Sequence, residues 1–342
     1  MGLQSKAPPG GAQKDDNVSA AAVSLPTEEW DAARRYLAAA LAPSTRYAYF
    51  RALVNFGGWC EERGLCAIPA EPDVIATYLA FEADRGLSPA AIDLKCSAIG
   101  AAHHAAGLEI PTKTALVRRV MSGIRRTKSG KRLERDPLLV DDIKKIVRSI
   151  PTWRYKKAHG EEKTISMRGF RDRALIILGF SLAARRSEIA ALEVEHLQFK
   201  EEGLLVTFHQ SKTDQEGKGA RVAVPRGETL CPVSILKEWL EAAKIIEGPV
   251  FRAISKSDRI LPRAIEGRQV SRILQTRAAA AGIEDKSISG HSLRSGFLTT
   301  AAQNRASVWK MAEVSRHKDL RQLKAYVQET ELFDDHAGEG NF

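Results

Sequence analysis

The sequence predicts a mainly α-helical protein of two domains, with one small β-sheet in the second. Three observations carry that expectation. Residues 27–127 hold successive capped helical segments and no strand signal. The stretch RRTKSGKRLERD, residues 125–136, then breaks the pattern with Ser-Gly, dense charge and no apolar periodicity. Beyond it, two β-rich runs stand close together, LLVTF at 204–208 and RVAVP at 221–225, joined by the polar HQSKTDQEGKGA. A chain of 342 residues can bury two cores.

The elements follow in order. Residues 1–22 are rich in Gly, Pro, Ala and polar side chains, and they read as a disordered tail. That tail lacks the apolar centre of a signal peptide, and Lys6 stands where a myristoylation signal needs Ser or Thr. The first domain spans residues 23–127. Thr27 precedes Glu28 and Glu29, an N-cap with acids in the first turn. Ser44 starts a second helix that stops at Gly64, and a third runs from Pro72 to Arg85 before Gly86. Ser88-Pro89 is an N-cap with Pro at N1 for a helix ending near Gly107, and a fifth covers Thr114 to Arg126. Residues 128–136 read as the interdomain linker, and 137–342 as the second domain. Its helices are expected around 232–246, 270–281, 291–304, 307–315 and 319–327.

Charge points to a partner. The chain carries 52 basic and 42 acidic residues, a formal net charge of +10, and a pI of about 9.5. That balance favours a polyanion, nucleic acid ahead of an acidic membrane surface, with plain solubility as the alternative. The segment from Lys113 to Asp136 holds nine Lys or Arg and two acids. Within it Arg125, Arg126, Lys131 and Arg132 are the candidate DNA contacts, unless the run is only a solvated face. The four cysteines, Cys60, Cys66, Cys96 and Cys231, form no CxxC pair, so no disulfide framework, zinc site or other metal is expected. No apolar run reaches the length of a membrane span. Reduced thiols and no membrane segment suggest a cytoplasmic protein.

Several residues carry chemistry. In SISGHSLRSGFLTT, residues 287–300, His291 and Arg294 are spaced i, i+3 and share one face of a helix. Alone, the stretch fits a Ser/His hydrolase arrangement through Ser292, a lone metal ligand, or an anion clamp. Arg185 lies in an apolar context three residues before Glu188; the pair either meets an anion or merely holds a turn. Two guanidiniums and a His suit one phosphodiester, because planar bidentate donors match phosphate oxygens. Lys212, between the two β-rich runs, is either a proton donor or ordinary surface charge. His317 precedes Tyr326 by nine residues, and that tyrosine is either a covalent nucleophile or a half-buried packing residue.

Taken in order, Arg185-x-x-Glu188, Lys212 in a hairpin, Gly-His291-x-x-Arg294, His317 and Tyr326 resemble the tyrosine recombinase (phage integrase) family. LSPAAIDLKCSAIGAAHHAAGL in the first domain is similar to the core-binding domain of that family, and the chain resembles Cre-like and Xer-like members. The resemblance implies a helical core-binding domain and an α+β catalytic domain. It implies that Arg185 and Arg294 clamp the scissile phosphate, and that His291 is base or proton shuttle. Lys212 is then the general acid, His317 a phosphate hydrogen-bonder, Tyr326 the nucleophile and Glu188 a support for the arginine box. It further implies a 3′-phosphotyrosine intermediate, a Holliday junction, a homotetramer on two double-stranded DNA sites, and no cofactor. Accessory proteins and a nucleoid location are compatible with it. The acidic end QETELFDDHAGEGNF is expected to dock on a neighbouring protomer through Leu332 and Phe333, or else to fray. Rivals with the same pocket are a type IB-like topoisomerase and a telomere resolvase; a catalytically silent DNA-binding regulator and a metal-dependent nuclease are rivals of other classes. Two departures stand out: Ser315-Arg316-His317 replaces the frequent Leu-Gly-His, and Ala183-Ala184-Arg185 replaces Gly-Leu-Arg, with Arg186 as a competing candidate.

Overall fold

The computed structural model describes residues 40–128, 135–156, 162–209 and 219–330. The expected tail and the helix starting at Thr27 lie outside the described residues, as do Lys131, Arg132, Lys212, Leu332 and Phe333. The chain separates into two compact units, residues 1–132 and 133–342.

In the described part of the first unit, helices α1 (Pro43–Glu61), α2 (Pro72–Asp84), α3 (Pro89–Ala105) and α4 (Ala115–Thr127) follow one another. The first three open on a proline, whose missing N–H is no loss in a first turn. That is why α1 begins at Pro43 rather than at the expected Ser44 cap. Ser88 and Thr114 do cap their helices, accepting from the Ala91 and Val117 amides at 3.3 and 3.5 Å. Gly64 and Gly86 follow α1 and α2 with φ of 64° and 90°, the left-handed stop that glycine allows. Phe56 and Trp59 of α1 pack on Tyr78 of α2 with ring centroids 4.9 and 5.3 Å apart. Buried Lys95 donates to the Tyr78 hydroxyl at 2.9 Å and pairs with Glu82 at 3.6 Å, so this core charge has partners. His103 is a core histidine: Nε2 accepts from the Ala70 amide at 2.9 Å and Nδ1 donates to the Ile99 carbonyl at 2.8 Å. On α4, Val117, Met121 and Ile124 face the core, while Arg118, Arg119, Arg125 and Arg126 are exposed. Arg125 is ion-paired there, its Nη2 donating to Asp93 at 2.5 Å.

The second unit is α+β. Helix α5 (Val140–Ser149) leads into an antiparallel hairpin, β1 (Trp153–Lys156) and β2 (Glu162–Ile165). Helix α6 (Met167–Ser181) buries an apolar second half, residues 174–180, in the core, and the short α7 (Arg186–Ala190) follows it. Strands β3 (Leu197–Phe199), β4 (Gly203–Phe208) and β5 (Ala220–Pro225) make an antiparallel sheet in that order. Its pairs Leu204–Val224 and Val206–Val222 are buried, the apolar faces of the two β-rich runs. Helix α8 (Pro232–Ala243) buries Trp239, whose Nε1–H donates to the Val250 carbonyl at 2.8 Å. The hairpin β6 (Arg252–Ile254) and β7 (Ile260–Ala264) precedes α9 (Gly267–Ala280), α10 (Ser292–Gln303), α11 (Val308–Ser315) and α12 (Arg321–Thr330). The mainly α expectation is borne out. Pairs β1–β2 and β6–β7 and strand β3 were not expected, because runs of three to five residues are too short for period-2 alternation to register.

One contact places the helix that carries the candidate site. The backbone entering the unit runs along α10: the Asp136 amide donates to the Ser287 carbonyl and the Leu138 amide to the Ser292 carbonyl, both at 3.1 Å. Val140 N–H reaches Thr300 Oγ1 at 3.3 Å. Gly296 of α10 fits beneath this segment, and a Cβ there would lie 1.8 Å from the Leu138 carbonyl oxygen. Gly296→Ala must push backbone apart, and the expected loss is about 2 kcal/mol or more. Thermal unfolding of the full chain checks it; an unchanged Tm would show that α10 is not clamped there.

Candidate active site

The site is assembled from chain reversals at the ends of buried helices. After α6, Ala183 turns the backbone with φ of 44°, a left-handed conformation at the position where the resembling motif carries glycine. This turn delivers Arg185 to the N-cap of α7 and aims the Ala183 carbonyl at Arg294, whose Nη1 donates to it at 2.8 Å. Glu188 then folds back on Arg185. One carboxylate oxygen accepts from the Arg185 amide at 2.8 Å, the other from Arg185 Nη1 at 2.6 Å. Arg185 therefore holds a turn, and its guanidinium sits beside Glu188. Arg186, the competing candidate, is exposed on the first turn of α7.

Arg294 of α10 is 1% exposed, and its Nη2 lies 3.2 Å from His317 Nε2. Burial, then the Arg185 charge, pulls its pKa down to about 9, so it stays charged at neutral pH. Arg294 also senses Glu188, Arg316 and Tyr326, which places all of them within one electrostatic neighbourhood. His291 sits immediately before α10, exposed at the rim, and burial of its inner side with Arg294 and Arg185 lowers its pKa.

His317 is fixed by its neighbours. Ser315 Oγ donates to the Met311 carbonyl at 2.5 Å, which leaves its oxygen to accept from His317 Nδ1 at 2.7 Å. Nε2 is then the lone-pair nitrogen facing Arg294. Burial first, then Arg294 and Arg185, push His317 down to about 4. Both ring nitrogens are thus engaged, and here the ring orients Arg294. Tyr326 of α12 is half-buried, packed against the small apolar cluster of Leu298, Ala302, Met311 and Leu323.

Arg316 is the residue that the sequence did not single out as functional. It caps α11 with φ of 58° and is 8% exposed. Its Nη2 donates to the Glu188 oxygen that the Arg185 amide also uses, at 2.7 Å. Burial pushes the Glu188 carboxyl up, but Arg316 and the Arg185 amide and guanidinium outweigh that, and it titrates below the ordinary carboxylate range. The turn in which Arg replaces Gly therefore keeps glycine-like backbone geometry. The one signal in the sequence was that replacement itself.

The candidate set thus divides plainly. Arg185, Glu188, His291, Arg294, His317 and Tyr326 come together, and Lys212 lies outside the described residues. Its hairpin stem ends beside the site, since the Arg316 guanidinium carbon is 4.1 Å from the Phe208 ring centre. Ser292 is wholly buried and receives the Ser289 amide at 3.0 Å, a turn contact that leaves the hydrolase reading without a nucleophile. Among the described residues one trio has the spacing of metal ligands, Glu193, Glu195 and His196, and His196 Nδ1 already accepts from the Glu193 amide at 3.2 Å. No helix among the described residues is long and apolar enough to cross a membrane.

Known proteins place this architecture. The sequence profile of the phage integrase family matches residues 142–332. An integrase/recombinase XerD homolog of Selenomonas ruminantium is 32% identical over 310 residues, covering 89% of this chain and 87% of its own. Recombinase Cre of Escherichia phage P1 is 21% identical, with 80% of each chain covered. Among solved structures, XerH site-specific recombinase bound to a palindromic difH substrate superposes with a TM-score of 0.60 at 17% identity, covering 84% of this chain and 76% of that one. A lambda integrase dimer on a COC′ core site gives 0.54 at 19% identity, covering 88% and 94%. The class is thereby defined: a tyrosine recombinase, an enzyme that cleaves and rejoins DNA strands. The chain belongs to the phage integrase family.

The depressed histidine has a consequence for stability. An unfolded His titrates near 6.5, whereas folded His317 titrates at about 4. Between those values the unfolded chain binds a proton that the folded chain refuses, so stability is complete above about 6.5 and falls as pH drops toward 4. Tm measured across that window should fall less steeply in His317→Gln than in the unaltered protein. Equal slopes would show that His317 already carries a proton when folded.

Proposed function

We propose that the protein is a site-specific recombinase acting through a 3′-phosphotyrosine intermediate and a Holliday junction. The observation that supports this most is charge. Arg185 and Arg316 both pair with Glu188, and Arg294 lies within electrostatic reach of all three, leaving an excess of positive charge near Tyr326. A phosphodiester is the anion whose geometry suits two guanidiniums.

In this reading Arg185 and Arg294 hold the non-bridging oxygens. Tyr326 Oη attacks phosphorus, and its proton passes to His291, whose lowered pKa keeps it a base at neutral pH. The bond to the 5′ oxygen breaks as that oxygen takes a proton from Lys212, and phosphate stays esterified to the tyrosine. His317 supports Arg294, and turns to the phosphate when DNA displaces its present partner. Glu188 holds the arginine box. The ester conserves the bond energy, so rejoining consumes no ATP, and the mechanism draws on no metal.

The partner is double-stranded DNA, held in part by Arg125, Arg126, Lys131 and Arg132. A homotetramer on two sites is the proposed assembly; a solved lambda integrase tetramer is bound to a Holliday junction. Residues Leu332 and Phe333 would dock on a neighbouring protomer, and the protein would work at the nucleoid in the cytoplasm.

Tyr326→Phe should bind DNA with unchanged affinity yet give no covalent adduct with a nicked substrate on a denaturing gel, while the unaltered protein forms adducts in excess EDTA. Adducts from the variant would move the nucleophile elsewhere. Exchange between two-site substrates, rather than simple relaxation of supercoiled plasmid, separates recombinase from topoisomerase.

Neutralising Arg125, Arg126, Lys131 and Arg132 together should flatten the dependence of log affinity on log salt, by about 0.9 for each side chain that touches a phosphate. An unchanged slope would assign the run to solvent.

A further inference from the structure

We propose that Arg316 is a positioning residue, holding Glu188 and, through it, Arg185 in the orientation that receives the phosphate. The inference rests on reading Arg185 as a phosphate ligand.

Arg316 is expensive where it stands. Its φ of 58° is a conformation that suits glycine, and its charge is 8% exposed. Its donors account for its presence. Nη2 gives to Glu188 at 2.7 Å, while Nη1 gives to the carbonyls of Val314 at 2.7 Å and Leu182 at 3.1 Å. The guanidinium lies over the Phe208 ring, and Nε is buried with no hydrogen-bond partner among the described residues. A residue committed in this way is not offered to substrate. It ties four pieces of chain together: the turn after α6, the helix of Glu188, the end of β4, and the segment leading to His317.

The effect on Arg185 follows from the carboxylate. One Glu188 oxygen is shared by the Arg185 amide and Arg316; the other takes Arg185 Nη1 at 2.6 Å. Arg316 thus fixes the rotamer of Glu188, and that rotamer fixes Arg185. Without Arg316 the Glu188 carboxylate is buried with a single cation. It can swing toward Arg185 and take more of its donors, or accept a proton and release it. In either case the clamp is misplaced while the DNA-binding surface is left alone.

The test uses the full chain. Arg316→Gly, which suits the backbone, should bind DNA with unchanged affinity and form the tyrosyl adduct about 100-fold more slowly, the loss expected from a misplaced reacting geometry. A substrate with a neutral methylphosphonate at the scissile position has less charge to clamp, so the same variant should show a much smaller deficit on it. Millimolar guanidinium, but not sodium chloride at equal ionic strength, should restore part of the rate on the ordinary phosphodiester. A rate within a few-fold of the unaltered protein overturns the proposal. So does an equal deficit on both substrates without rescue, because that is what a general packing defect gives. If the glycine variant does not fold, Arg316→Lys serves: it keeps a cation but cannot reach Glu188, Val314 and Leu182 together, and it too should cleave slowly and be spared on the methylphosphonate. Arg185→Ala distinguishes the two layers. If it cleaves normally, the reading of Arg185 as ligand fails; if it is inactive while the Arg316 variant is normal, only the positioning role fails.

Discussion

A single carboxylate organises this candidate site. Glu188 is 8% exposed and accepts from one backbone amide and two guanidiniums. Burying an ion is costly unless its lone pairs are filled, and here each oxygen has a charged donor. Two cations, Arg185 and Arg316, share this one acid, and Arg294 lies in the same electrostatic neighbourhood. Burial first, and the positive charge second, lower His291, bring His317 to about 4 and Arg294 to about 9. That charge balance favours an anion, as the proposed function requires.

Around this acid the positioning is done by backbone rather than by side-chain packing alone. Ala183 and Arg316 both adopt the left-handed conformation, with φ of 44° and 58°. The first turn presents a carbonyl to Arg294; the second brings Arg316 onto Glu188 and leaves His317 next in line. Ser315 completes the arrangement by settling which nitrogen of His317 carries the proton.

Most of the helical frame was legible because its punctuation is local. Ser88 and Thr114 cap, Pro72 and Pro89 open helices, and Gly64 and Gly86 close them, each through the conformational preferences of one residue. The sheet core of β4 and β5 was legible for the same reason, as two apolar β-branched runs. The hairpins β1–β2 and β6–β7 were not, because three to five mixed residues carry no period. The arginine, histidine and tyrosine boxes could be ordered along the chain, but spacing could not say that His317 faces Arg294, or that Arg316 reaches Glu188 from 128 positions away. That information lies in tertiary contacts. A motif comparison registers Arg316 only as a missing glycine, while the fold shows a cation filling the space.

The parallel run of residues 136–140 beside residues 287–300 bears on mechanics. The chain arriving in the second unit is hydrogen-bonded at Asp136, Leu138 and Val140 to the segment and helix that carry His291 and Arg294. Gly296 lets the two backbones touch with no side chain between them. Tension on the polypeptide at residue 135 is therefore borne by α10 before it reaches α5. His291, just before α10, and Arg294 on it stand at the mooring point of their own tether.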